Sequence, residues 1–105
     1  MRSKYYMLKD KKVEEVPDYL VWAKWFENFD TSIKITTVND ILVSTVFLSL
    51  DHSPASDEPI LFETMIFGGD HDGYQKRYST YNEAVQGHDE ICKLAFEGLL
   101  TILES

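Results

Sequence analysis

The chain has one cysteine, three prolines, five glycines and no long apolar run, and each shortage narrows what it can be. The lone Cys92 excludes an internal disulfide framework and a multi-cysteine zinc site. It falls within a helical apolar stripe, and no cation is spaced to lower its pKa, so it reads as a small buried hydrophobe rather than a reactive thiol. So few prolines and glycines argue against disorder. The longest stretch of low polarity, Ile41 to Leu50, is far short of the ~20 apolar residues that cross a bilayer. The opening Met1-Arg2-Ser3-Lys4-Tyr5 carries no apolar signal segment, so export and membrane attachment are not expected. Basic residues are also scarce. Ten Lys and Arg against eighteen Asp and Glu leave a net charge of -8. Such a surface repels phosphate backbones, which excludes direct nucleic-acid binding and favours a basic protein partner, including a nucleic-acid-binding one. For any single carboxylate, plain solubility is explanation enough.

What the chain does have is aromatic residues: six Phe, six Tyr and two Trp, within a hydrophobic fraction of 44%. In 105 residues that suffices for one domain, residues 1–105, with its own core. Lys4 to Leu8 reads as a short strand, Lys9 to Lys12 as a polar turn, and Val13 to Val16 as a second short strand. Pro17 and Asp18 set up a helix in which Tyr19, Trp22, Ala23, Phe26 and Phe29 follow the i, i+3, i+4, i+7 rule. Trp25 lies off that stripe. Ile33 to Val38 alternates, Asn39-Asp40 suits a two-residue hairpin turn, and Ile41 to Leu50 follows with both faces largely apolar. That pattern predicts a central strand.

Ser53 to Pro59 is a loop, Ile60 to Phe67 a further strand, and Gly68-Gly69 a bend at the sheet edge. A polar turn at 70–73 leads to a short last strand at Arg77-Tyr78-Ser79. Thr80 and Glu83 then form a capping box opening a helix that carries Ala84, His88, Ile91, Cys92, Ala95, Leu99 and Ile102 on one face. The fold class that follows is α+β: an antiparallel meander of about four to six strands with two helices, the longer one C-terminal. Leu94, Phe96, Leu100 and Leu103 widen the last helix's stripe, as either a broad core face or a homodimer surface.

Polar residues inside these apolar blocks are the candidates for chemistry. Asp51, His52, Glu63, Arg77, Tyr78 and His88 form the candidate ligand-binding set. A mid-strand charge needs a partner, and the planar fork of Arg77 suits the carboxylate of Glu63. Structural bracing is the plainer account of that pair. Gly87, in mid-helix, predicts a close backbone approach there, which would bring His88 over the Asp51-His52 end of the long strand. A metal reading can draw on His52, His71 and His88 with Asp51, Glu63, Asp70 and Asp89, but no ligand motif such as HxH or HExxH joins them. No nucleophile elbow and no phosphate loop is present, so no catalytic residue, metal or cofactor is assigned. Trp25, Tyr74, Tyr81, Phe96 and Leu100 are the candidate interface residues, and Tyr5 and Tyr6 are further aromatics off the core stripes.

Five blocks carry a resemblance: Trp22-Ala23-Lys24-Trp25-Phe26-Glu27, Val43 to His52, Leu61 to Gly69, Arg77-Tyr78-Ser79-Thr80 and Gly87-His88. In order and spacing they resemble a family of small proteins encoded by bacteriophages, prophages and related mobile elements. The likeness spans roughly residues 5 to 90. Members carry Gly where this chain has Ser49, and often an acidic-Gly turn where it has Lys9 to Lys12. No activity comes with the resemblance. It implies a phage accessory protein in the cytoplasm of an infected bacterium, of the kind that inhibits a host system such as CRISPR-type antiviral defence. The expected function is therefore a non-enzymatic binder of a host protein. The alternatives are a protein that sequesters a nucleotide signal and, more remotely, a metal-dependent hydrolase.

Overall fold

The computed structural model describes residues 3–51 and 57–104, and the side chains of the last helix as far as residue 97. Six strands and two helices run in the order β1 (Tyr6–Lys9), β2 (Lys12–Glu15), α1 (Tyr19–Glu27), β3 (Ser32–Val38), β4 (Ile41–Phe47), β5 (Phe62–Phe67), β6 (Gln75–Tyr78), α2 (Tyr81–Glu104). The fold is α+β, with the longer helix at the C-terminal side. The strands divide into two antiparallel sheets: the hairpin β1-β2, and a four-stranded meander in the order β3-β4-β5-β6.

Local chemistry accounts for most boundaries. The turn between β1 and β2 is made by Asp10 and Lys11, both at positive φ (51° and 68°), the backbone that a two-residue hairpin requires. Asp18 caps α1, its carboxylate accepting from the Leu20 N–H at 2.9 Å. Asn39, at φ 53°, turns β3 into β4 so that Val38 faces Ile41. The capping box forms in both directions: the Thr80 hydroxyl takes the Glu83 N–H at 3.1 Å, and the Glu83 carboxylate takes the Thr80 N–H at 3.1 Å. Gly68 sits at φ 91° where a Cβ would overlap the Asp40 carbonyl oxygen, so the bend after β5 admits no larger residue.

β4 is the centre of the sheet, hydrogen-bonded to β3 on one side and β5 on the other. It is shorter than alternation predicts. It ends at Phe47 because Ser49 turns to φ 62°, redirecting the chain toward the hairpin. There the Tyr6 N–H donates to the Ser49 carbonyl at 2.9 Å and the Asp51 N–H to the Lys4 carbonyl at 2.9 Å. Ser49 is therefore the joint between the two sheets.

One face of the four-stranded sheet is covered by α2. Val43, Ile66, Ile91 and Phe96 make one buried cluster beneath it. A second cluster, with Phe47, Leu61, Phe62, Tyr78 and Ala84, continues into Tyr6 and Leu8 of the hairpin. Phe96 is thus core, and the partly buried Leu94 packs against the same cluster. The opposite sheet face, with Ile35, Leu42, Ser44, Val46, Glu63, Met65, Phe67 and Arg77, has neither helix over it. That assignment follows from the pairing register, since cross-strand partners share a face and neighbours alternate.

Candidate functional site

The pairing register divides the ligand-binding set expected from sequence. Glu63 and Arg77 are direct cross-strand partners, and the Arg77 Nε–H donates to Glu63 Oε2 at 2.8 Å. The expected pair exists, on the open face. Tyr78 follows Arg77 in the same strand, so its ring points through to the helix-covered face, where His88 also lies. Asp51 is at a third place, in the loop beyond the joint, where its carboxylate accepts the Ile60 N–H at 3.2 Å. His52 lies outside the described residues. Of the placed members, Arg77 and Tyr78 border one groove between β6 and α2, while Asp51, Glu63 and His88 lie outside it. A two-residue period cannot put neighbouring strand residues on one face.

What the covered face holds instead is a row of hydroxyls running across the sheet. Thr36 comes from β3, Thr45 from β4 and Thr64 from β5, with His88 of α2 set over them. The His88 side chain is fully buried. Its Nδ1 is 2.6 Å from Thr45 Oγ1 and its Nε2 is 2.9 Å from Thr36 Oγ1, while Thr45 and Thr64 join their hydroxyls at 2.6 Å. Both ring nitrogens are satisfied by neutral groups, and burial, with the Lys34 charge nearby, holds the imidazole pKa below its ordinary value. His88 thus sits neutral over the middle of β3 and β4 rather than beside Asp51, because α2 crosses the sheet at its middle. Beside it Lys34 Nζ donates to Asp89 Oδ1 at 2.9 Å; that bond raises the pKa of the lysine and lowers that of the carboxylate.

The close approach expected at Gly87 is present, but the approaching group is the Tyr78 ring, not backbone. A Cβ on Gly87 would overlap Cε1, Cζ and Oη of Tyr78. The Tyr78 hydroxyl is buried near Thr64 without the geometry of a hydrogen bond, and burial raises its pKa. An open groove of about 230 Å³ runs along this seam between β6 and α2, walled by Lys76, Arg77, Glu83, Gln86 and Glu90. It is smaller than the ~300 Å³ from which ligand pockets usually begin. Its two cations and two carboxylates set no single charge. His71 is in an exposed turn. Among the described residues no group of three or more His, Cys, Asp or Glu is placed to hold a metal ion.

The interface candidates are also redistributed. Trp25 is core-facing: it stacks on Phe29 with centroids 4.4 Å apart and meets Phe47 edge-on at 6.0 Å. Tyr81 packs on Phe62, Tyr6 is buried, and Phe96 is core. Tyr74 is exposed, and the Leu100 side chain lies outside the described residues. Phe29 turns inward as expected, but the helical stripe read from sequence is rotated, because Trp25 also turns inward and Tyr19 and Phe26 turn outward.

That rotation exposes a surface which periodicity alone misses. α1 buries none of its nine residues completely, and Leu20 (74% exposed), Tyr19, Val21 and Phe26 (41%) face outward. Tyr5, Tyr19, Trp22 and Phe26 form a continuous aromatic run, with successive ring centroids 5.5, 5.9 and 5.1 Å apart. Trp22 is anchored by its indole N–H, which donates to the Tyr6 carbonyl at 3.2 Å. The available signal was composition: α1 reads Tyr-Leu-Val-Trp-Ala-Lys-Trp-Phe-Glu, apolar at seven of nine positions, on a domain too small to bury them all. Glu14, Glu15, Asp18, Glu27 and Asp30, every one exposed, flank it in sequence, against the cations Lys24 and Lys4, the latter with its Nζ 5.5 Å from the Tyr5 ring centroid.

No helix among the described residues is long and apolar enough to cross a membrane. Comparison of the chain with protein-family models, with curated proteins and with solved structures finds no match in any of the three.

Proposed function

We propose that the protein is a non-enzymatic protein-binding module, a phage or mobile-element accessory protein that engages a host protein in the bacterial cytoplasm through the outer side of α1. The observation that carries this reading is a nine-residue helix with no fully buried residue and four large apolar side chains in solvent. Scattered exposed hydrophobics need no explanation, but a continuous aromatic run on one helix is what a desolvated contact uses. The carboxylates around it specify the partner's chemistry: an apolar patch rimmed by Lys and Arg. A nucleic-acid-binding host protein presents such a rim. The groove beside Arg77 and Tyr78 supports a nucleotide-signal binder less well, since it is small and of mixed charge.

The test is affinity purification from the bacterial host with wild type and with Leu20→Asp and Phe26→Asp, followed by mass spectrometry. The wild type is expected to recover one dominant basic partner, with recovery falling as salt rises and lost in both variants. Equal recovery by wild type and variants would overturn the reading.

A further inference from the structure

The two edges of the four-stranded sheet are built differently. β6 is four residues long and carries Lys76 and Arg77, the short, charged edge that natural sheets use to prevent further pairing. β3 has seven residues, Ser-Ile-Lys-Ile-Thr-Thr-Val, with five β-branched side chains and no proline. Its lysine does not guard the edge, because Lys34 turns onto the covered face to pair with Asp89. Its irregularity is confined to the start, between Ser32 and Lys34. Closure of the Asn39-Asp40 turn on Val38 and Ile41 directs the backbone groups of Lys34, Thr36 and Val38 toward β4. Those of Ile35 and Thr37 then point away from the sheet. The packing partners of β3 are β4 and α2, and neither lies on that side. The Ile35 side chain, at the middle of this edge, is 56% exposed.

We infer that β3 pairs antiparallel with β3 of a second copy about a twofold axis at Ile35, joining the two sheets into one of eight strands. The strand is its own complement in this register. Ile35 meets Ile35 of the second copy as a hydrogen-bonded pair, the kind in which both N–H···O bonds are exchanged. Lys34 falls opposite Thr36, and Ile33 opposite Thr37, so no like charges meet within the strand. The outward groups of Ile35 are then satisfied, and those of Thr37 face the irregular start of the second copy's strand. Like charges approach only beyond the strand ends, where Asp30 comes near Asp40 in solvent. Screening therefore tightens this association, whereas it weakens the contact proposed for α1.

The primary test is a cysteine cross-link in a Cys92→Ala background. At a hydrogen-bonded pair the two Cα atoms of Ile35→Cys would lie about 5.5 Å apart, within disulfide reach. Thr37→Cys would stand roughly 13 Å from its own copy and should not cross-link. The expected results are near-complete dimer for Ile35→Cys, none for Thr37→Cys, and a sedimenting mass of twice 12.2 kDa for wild type that rises in occupancy with salt. Ile35→Lys, which places two ammonium groups opposite one another at an exposed position, should sediment as a folded monomer. A wild type that stays monomeric at high micromolar concentration, a dimer that survives Ile35→Lys, or equal cross-linking at positions 35 and 37 would overturn the assignment.

Discussion

The two halves of the molecule are each a sheet with a helix on it, yet they solve the burial problem differently. α2 lies along a four-stranded sheet and sinks Ala84, Gly87, His88, Ile91 and Phe96 into it. α1 has a two-stranded hairpin and the end of β4 to lie on, and buries nothing completely. A two-stranded ribbon is too narrow to cover an apolar helix. Apolar content therefore does not decide burial. α1 is the more uniformly apolar of the two helices and the more exposed, because what counts is the width of the surface each one meets.

The contrast is most easily broken at Gly87. Alanine in a helix interior normally stabilises by ~1 kcal/mol relative to glycine. Here its methyl group would overlap the Tyr78 ring, and Gly87→Ala is expected to cost about 3 kcal/mol through overpacking. Urea unfolding measures this, and a neutral or stabilising result would show that α2 does not sit that close to β6.

Next in size is His88. Replacing it by Leu strands the Thr36 hydroxyl and one bond of Thr45 under the helix, at a cost of about 2 kcal/mol. The pH dependence carries a sign. The imidazole pKa in the folded protein lies below its ordinary 6.5, so between the two values the unfolded chain binds the extra proton. The His88 contribution is complete above about pH 6.5 and is lost as pH falls below it, toward the depressed folded value. Wild type should lose stability over that window relative to His88→Leu. Parallel pH profiles for the two would mean that the imidazole is not held neutral.

The joint between the halves gives a smaller effect of opposite sign. Ser49 holds φ 62° with its hydroxyl buried and unpaired. Ser49→Gly removes both penalties at the expense of chain entropy, and is expected to stabilise by about 1 kcal/mol. Thermal unfolding would show it as a rise in Tm, and a fall would show that the serine side chain supports the bend.

The smallest effect on stability is predicted for the outer side of α1, where Leu20→Asp should change unfolding free energy by no more than about 0.5 kcal/mol. A loss several-fold larger, read by the same urea titration, would mean that this side chain packs against the protein's own surface.

Much of the fold was legible beforehand. The capping box at Thr80, the turn at Asn39-Asp40, the central position of β4 and the Glu63–Arg77 pair all rest on interactions between near neighbours or on strand alternation. The candidate site was less so. Glu63 and His88 were grouped as polar residues inside apolar blocks, yet strand register and the crossing of α2 set them on opposite faces of the sheet. The threonine row was hidden because Thr36, Thr45 and Thr64 are ordinary strand residues until register aligns them. Trp25 was misplaced because α1 is apolar at seven of its nine positions, so periodicity could not set its rotation.

By itself, then, the sequence determined the kind and order of the elements, most of their caps and turns, and the acidic charge. These depend on residues within a few positions of one another, or on composition. Only the tertiary structure decided where β4 stops, which side of α1 meets solvent, and that His88 is braced by hydroxyls from β3 and β4. Those outcomes depend on which distant surface each element meets, and that is settled by packing rather than by local preference.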